Sequence, residues 1–125
     1  MSFFDKIFGE KEESPEKNQI WKYIESEEDL KNAIENSFNQ KIAIFKHSTS
    51  CFISKTVLRN FEKEIENSDQ KPELYFLDLL AYRAISNKIA SDLDVRHESP
   101  QLLVIEKGRV INSASHQHIS TEQIV

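Results

Sequence analysis

The segment that decides the fold is residues 41–54, KIAIFKHSTSCFIS. Its first six residues form a short apolar run, which is typical of a buried strand. The polar residues 47–51 then predict a turn. The apolar positions that follow repeat at the spacing of one helix face: Val57, Leu58, Phe61 and Ile65. A strand, a turn and a helix in this order place Cys51 at or near the first turn of the helix.

Strand and helix patterns alternate on both sides of this segment. Strand patterns lie at residues 20–24, 74–78, 102–105 and 110–111, and helix patterns at 27–38, 85–93 and 120–125. Ser26 and Asp29 form a capping box that starts the first helix. Lys107-Gly108 separates the last two strands, which predicts an antiparallel hairpin. The order β-α-β-α-β-α-β-β-α predicts an α/β fold with a central mixed sheet flanked by helices, because right-handed crossovers place helices on both faces.

The length and composition predict one domain. The chain has 125 residues, of which 38% are hydrophobic and 30% charged, enough for a single core. Residues 1–18 are predicted to be an N-terminal tail and linker, and residues 19–125 the domain. Phe4, Ile7 and Phe8 are spaced for an amphipathic helical turn that touches a partner or a membrane surface. The alternative for this segment is a loosely held terminus.

Charge, hydropathy and cysteine content exclude several classes of protein. A net charge of −5 with dispersed Lys and Arg argues against a nucleic-acid binder. No apolar run is long enough to span a membrane, and the first residues lack the pattern of a signal peptide, so we predict a cytoplasmic protein. The single cysteine, Cys51, allows no internal disulfide and no multi-cysteine zinc site. Any thiol chemistry is therefore monothiol.

The position of Cys51 favours a reactive thiol. Free N–H groups and the positive end of the helix dipole stabilise a thiolate at a helix N-terminus. The alternative is a buried and inert cysteine, which the polar neighbours at positions 48–50 and 54 disfavour. Ser54 occupies the place that the resolving thiol takes in Cys-x-x-Cys oxidoreductases. Its hydroxyl cannot resolve a disulfide, but it can hydrogen-bond the thiolate.

Two further features of the sequence are a proline before the hairpin and a pair of histidines that could bind a metal. Ser99-Pro100 stands just before the hairpin, and from the sequence its peptide bond can be trans or cis. His116 and His118 place two imidazoles on one face of an extended segment. Two ligands do not make a site, so we predict no metal centre.

Five stretches carry a specific likeness: residues 44–51, IFKHSTSC; 77–79, LDL; 82–83, YR; 85–90, ISNKIA; and 97–101, HESPQ. Together they closely resemble the YtxJ family of thioredoxin-like proteins, the monothiol bacilliredoxins. The resemblance covers about residues 21–119. It implies a thioredoxin-like fold with Cys51 as the nucleophile and Pro100 as the cis-proline of a loop facing the sulfur.

The resemblance also implies a substrate class: proteins that carry bacillithiol as a mixed disulfide. Cys51 and Ser54 are then the catalytic residues, and the substrate-binding residues are Thr49, Phe52, Ser99 and Pro100. Bacillithiol serves as a co-substrate, and no resident cofactor is expected. Where the family has a proline after the cysteine, this chain has Phe52, which restores an N–H donor close to the sulfur.

The expected reaction is removal of bacillithiol from S-bacillithiolated proteins through a mixed disulfide on Cys51. Lys46, Lys55 and Arg83 are candidates to meet the carboxylates of bacillithiol, although surface Lys and Arg are more often solvated charges. Two other classes stay open. One is a non-catalytic thioredoxin-like binding module, in which Cys51 is incidental. The other is a monothiol glutaredoxin-like carrier, in which one cysteine per chain and a small thiol hold an iron–sulfur cluster between two chains.

Overall fold

The computed structural model describes residues 20–69 and 72–124. Its strands are β1 (Trp21–Tyr23), β2 (Ile42–His47), β3 (Glu73–Asp78), β4 (Gln101–Glu106) and β5 (Arg109–Ser115). Its helices are α1 (Glu27–Asn36), α2 (Phe52–Glu66) and α3 (Arg83–Asp92), and two 3₁₀ helices follow β5, His116–His118 and Thr121–Gln123. The predicted tail at residues 1–18, with its amphipathic turn at Phe4, Ile7 and Phe8, lies outside the described residues.

The strands form one five-stranded sheet in the order β1-β3-β2-β4-β5. β1 and β2 both pair with β3 in parallel, while β4 pairs antiparallel with β2 and with β5. The prediction of an α/β fold with a mixed sheet is therefore confirmed. The register of β2 with β4 sets Lys46 opposite Gln101, so the end of β2 lies beside the start of β4.

The sheet is covered on both faces. On one face α2 packs through Val57, Phe61 and Ile65 against a cluster that includes Trp21 and Phe45. The other face carries α1 and α3, whose buried residues are Leu30, Ala33, Ile85 and Ile89. Because side chains alternate along a strand, Phe45 and His47 share the α2 face, and Ile44 and Lys46 share the α1 and α3 face. At the end of β2, His47 therefore faces the half of the core under α2, and Lys46 faces the half under α1 and α3.

The ends of α1 and of the hairpin follow the expected local chemistry. The Asp29 N–H donates to Ser26 Oγ at 3.0 Å, which confirms Ser26 as the N-cap. The Asp29 carboxylate accepts from the Glu25 N–H at 2.9 Å and not from that of Ser26, so the predicted box is only half formed. Lys107 and Gly108 have φ values of 55° and 76°, as a two-residue type I′ hairpin turn requires. The Gly108 N–H also donates to Ser37 Oγ at 2.9 Å, so the hairpin is joined to the end of α1.

Three local predictions were wrong. The helix pattern that included Phe38 ends earlier, at Asn36, and the Phe38 side chain is 61% exposed beside Gly108. His47 is the buried last residue of β2 and not part of a polar turn, because it continues the alternation of Phe45. The segment His116–His118 is a 3₁₀ helix and not extended, with His116 at a φ of 56°. Among the described residues, no helix is long and apolar enough to cross a membrane.

Candidate active site around Cys51

Cys51 is the N-cap residue of α2, with an extended backbone at φ −103° and ψ 120°. Its carbonyl accepts from the Lys55 N–H at 3.1 Å, and its own N–H donates to the Ser48 carbonyl at 3.2 Å. The thiol is free and partly exposed, and the first turn of α2 contains no acidic residue. The sulfur therefore stands at a helix end with unpaired N–H groups and a positive dipole, which is the environment that stabilises a thiolate.

Ser54 is fully buried one turn into α2. Its Oγ lies 2.8 Å from His47 Nδ1 and accepts from the Ser48 N–H at 3.2 Å. Two proton arrangements satisfy the contact with His47: either Nδ1–H donates to Ser54 Oγ, or the Ser54 hydroxyl donates to Nδ1. Only the first leaves the hydroxyl proton of Ser54 free for another acceptor. Ser54 thus joins the start of α2 to the end of β2.

His47 lies inside the core, where it packs against aromatic rings. Its ring centroid is 5.4 Å from that of Phe76 and 6.4 Å from that of Phe45. Burial lowers the pKa of His47; Asp78 opposes this shift and Lys55 adds to it. At neutral pH the ring is therefore uncharged, and Nδ1 can act as donor or acceptor toward Ser54.

The Ser99-Pro100 peptide bond is cis. Pro100 is buried and precedes β4, and its carbonyl accepts from the His116 N–H at 3.0 Å. Because Gln101 pairs with Lys46, the Ser99-Pro100 segment lies at the end of the sheet where β2 leads into the loop to Cys51. Two of the five stretches quoted from the sequence, residues 44–51 and 97–101, therefore lie at the same end of the sheet.

The other predicted site residues differ in exposure. Thr49 is exposed in the loop before Cys51, and Phe52 is 81% exposed at the first position of α2. A groove of about 360 Å³ begins at Phe52 and Ile53 and continues along α2 toward Gln117. Thr49 in the loop and Phe52 at the start of α2 are thus exposed to solvent, whereas Ser54 and Pro100 lie beneath the surface.

Lys46 is fully buried at the end of β2, a burial that sequence analysis missed. Its Nζ has no hydrogen-bond partner among the described residues. Burial lowers the pKa of Lys46 to about 8, and the charge of Arg83 adds to this effect. The alternation of β2 already places position 46 on an inward face, and that pattern is the signal that predicts its burial.

The described residues contain no group of three or more His, Cys, Asp or Glu side chains arranged to hold a metal ion. His116 and His118 are both exposed. We expected the two imidazoles on one face because side chains alternate along an extended segment. Residues His116–His118 form a 3₁₀ helix, so this alternation is absent.

The five-stranded mixed sheet, with a lone cysteine at the N-terminus of α2 and a cis-proline before β4, defines a protein of the thioredoxin fold. A solved structure described as a proposed oxidoreductase with a thioredoxin fold is 26% identical, with a TM-score of 0.74, over 85% of this chain and 91% of that one. Thioredoxin NaTrxh from Nicotiana alata is 11% identical, with a TM-score of 0.67, over 84% of this chain and 88% of that one. Fasciola hepatica thioredoxin is 15% identical, with a TM-score of 0.59, over 76% of this chain and 86% of that one.

The family model "Monothiol bacilliredoxin BrxC" matches residues 22–124, and the chain belongs to that family. Family and fold together support a thiol oxidoreductase function in general terms. The match covers Cys51, Ser54, Ser99 and Pro100, and it begins after the predicted tail.

Proposed function

We propose that this protein removes bacillithiol from S-bacillithiolated proteins by monothiol exchange at Cys51. The observation that carries the proposal is the position of the sulfur: a partly exposed thiol at the N-cap of α2, without an acidic residue in the first helical turn. Helix N-termini favour thiolates in general, and a stabilised thiolate is a good leaving group in reversible mixed disulfides. We also propose that the protein is of the YtxJ type, which its motifs resemble, and that it acts in the cytoplasm.

The reaction exchanges one disulfide for another. The Cys51 thiolate attacks the bacillithiol sulfur of the modified protein, a Cys51–bacillithiol disulfide forms, and the original disulfide breaks. The client cysteine leaves as a thiolate and takes a proton from water. A second thiol then attacks the adduct and restores Cys51. Each step conserves the number of disulfides, so no resident cofactor is needed.

The surrounding residues divide the remaining tasks. With His47 in the tautomer that donates from Nδ1, the Ser54 hydroxyl keeps its proton for the thiolate. Thr49 and Phe52 stand at the exposed side of the loop, where a client protein docks. Ser99 offers its backbone, next to Pro100, to the bound thiol or the client chain.

The proposal is tested by incubating the reduced protein with a bacillithiolated client and, separately, with the same client carrying glutathione. Intact mass spectrometry follows both partners over time. We expect a bacillithiol adduct on the wild-type chain, none on Cys51→Ser, and slower transfer from the glutathionylated client. Transfer at equal rates from both clients would contradict the assignment of bacillithiol.

Two other outcomes would replace the proposal with one of its alternatives. If the chain forms no adduct while Cys51 reacts no faster than a free thiol, the binding-module function takes its place. If anaerobic reconstitution with iron, sulfide and a small thiol gives a brown dimer that is absent in Cys51→Ser, the protein is an iron–sulfur carrier.

A further inference from the structure

Three buried polar atoms at one end of the β2–β4 pair lack a hydrogen-bond partner among the described residues. They are Lys46 Nζ, Ser99 Oγ and Gln101 Oε1. Lys46 and Gln101 stand opposite each other in the ladder, and both side chains lie on the face that carries α1 and α3. A buried ammonium without an acceptor is costly to the fold, so its retention calls for a ligand or a function.

Two positive charges, those of Lys46 and Arg83, lie near the same place. Burial lowers the pKa of His97 most, and the charges of Lys46 and Arg83 lower it further. The charge of Glu98 opposes these effects. His97 Nδ1 lies 3.4 Å from Ser86 Oγ, which sets this ring beside the start of α3, within reach of the Lys46 and Arg83 charges. Within the described part of the chain, no carboxylate forms an ion pair with Lys46 or Arg83.

The N-terminus of α3 adds to this positive region. Its N-cap, Tyr82, supplies no side-chain hydrogen bond, and its first turn contains no acidic residue. The Tyr82 carbonyl accepts from the N–H groups of Ile85 and Ser86, so the two preceding N–H groups of α3 are free of helical partners. A helix end of this kind attracts an anion, and here it stands beside two cationic side chains.

We propose that Arg83, the first turn of α3 and the buried Lys46 form a subsite for a carboxylate of the small thiol that Cys51 exchanges. This inference rests on the proposed function and deepens it. Arg83 is exposed and meets the carboxylate directly. The Lys46 ammonium lies beneath and acts through the protein interior, where a charge is screened less than in water.

The residues of the subsite are connected to the Cys51 site both along the chain and across the sheet. Lys46 stands five positions before Cys51. The Leu79 N–H donates to the His47 carbonyl at 3.0 Å, which fixes the loop before α3 to the end of β2. Ser99, whose backbone is expected to pair with the bound thiol, stands two positions before Gln101. A small thiol on Cys51 can therefore extend its carboxylate toward α3.

The test compares three symmetric disulfides that differ in charge: 3,3′-dithiodipropionate, 2,2′-dithiodiethanol and cystamine. In each reaction the Cys51 thiolate forms a disulfide with one half of the reagent, and the other half leaves as a thiolate. The rate of adduct formation is divided by the rate for the uncharged thiol 2-mercaptoethanol with the same reagent, which corrects for the intrinsic reactivity of each disulfide. We expect the wild type to prefer the anionic reagent over the neutral one by roughly tenfold, as charge-assisted hydrogen bonds allow.

The variants are Arg83→Gln and Lys46→Met, with Arg59→Gln as the matched control. Arg59 is exposed on α2 and loses the same charge outside the subsite. We expect Arg83→Gln and Lys46→Met each to reduce the anion preference severalfold, and Arg59→Gln to leave it nearly unchanged. Because Arg83 is exposed, its variant keeps the fold and decides the question even if Lys46→Met does not fold.

Equal rates for the anionic and neutral reagents, or an anion preference that Arg83→Gln leaves intact, would overturn the subsite. Failure of the wild type to form any adduct would instead overturn the proposed function. In that case titration with succinate alone decides the subsite, since binding shifts the amide signals of the first turn of α3 in the wild type but not in Arg83→Gln. Absence of these shifts would refute it.

Discussion

Ser54 Oγ lies 2.8 Å from His47 Nδ1, so the residue three positions after Cys51 is bound to the strand that precedes it. A Cys-x-x-Cys oxidoreductase has its second thiol at this position. Here a buried hydroxyl takes that place, and it also accepts from the Ser48 N–H. The first turn of α2 and the end of β2 are thereby held together close to Cys51 in the chain.

Replacing Ser54 with alanine is expected to destabilise the protein by about 1–3 kcal/mol, because the buried Ser48 N–H and His47 Nδ1 lose their partner. Urea unfolding measures the change. Ser50→Ala is the control, since Ser50 is exposed and its hydroxyl lies 3.3 Å from that of Ser48. Equal stability of the two variants would show that the buried contact contributes nothing.

Replacing Ser54 with cysteine is expected to convert the monothiol into a dithiol protein. The introduced thiol would attack Cys51 in the small-thiol adduct, release the small thiol and leave an intramolecular disulfide. Mass spectrometry should then show a short-lived adduct, followed by a chain that is lighter than the reduced form by two hydrogens. An adduct that persists as long as in the wild type would mean that position 54 cannot reach the Cys51 sulfur.

Phe52→Pro is expected to slow alkylation of Cys51 by iodoacetamide at pH 6 by about twofold, because proline removes an N–H donor next to the sulfur. Proline is well accepted at the first position of a helix, so the fold should be kept. Phe52→Ala is the control, because it removes the exposed ring but retains the N–H. Slower alkylation in both variants would assign the effect to the ring.

Lys46→Met is expected to be more stable than the wild type near pH 7, by a few kcal/mol at most. The folded pKa of Lys46 is about 8, below its ordinary value of 10.5. Below pH 8 both states bind the proton, and the cost of burying the charge is fully present. Between about pH 8 and 10.5 the unfolded state binds more protons, so the stability of the wild type rises toward that of the variant.

This pH dependence is measured by chemical denaturation of both proteins across pH 7 to about 10.5. The difference in unfolding free energy between them should shrink as the pH rises. A difference that stays constant over the whole range would show that Lys46 titrates at its ordinary value and carries no buried charge. If replacing Lys46 with the similarly sized Met stabilises the protein, that result also fits a residue that is kept for binding.

Much of the fold was predictable because its strands are short apolar runs and its helices have clear periodic faces. The N-cap at Ser26 and the turn at Gly108 marked element ends through local chemistry. Phe38 was placed wrongly because the helix pattern continues past the true end at Asn36, where the chain turns to meet Gly108. Nothing within the helix period alone marks that end.

For the candidate site, the sequence indicates residues but not the contacts between them. Cys51 stands out as the lone cysteine at a strand-to-helix junction, and Ser54 follows from its spacing. The contact of Ser54 with His47 depends on the side chains of two elements meeting, which spacing along the chain does not give. The isolation of Lys46 Nζ likewise depends on which groups β4 and α3 bring near it.

The most direct test of the central claim is where the small thiol goes in a single turnover. Reduced wild-type protein is mixed with an equal amount of a bacillithiolated client, quenched with acid and analysed by intact mass and peptide mapping, with Cys51→Ser in parallel. We predict that bacillithiol leaves the client and appears on Cys51 in equal amount, while Cys51→Ser leaves the client unchanged. A disulfide between Cys51 and the client cysteine, or a client that keeps its bacillithiol, would contradict this mechanism.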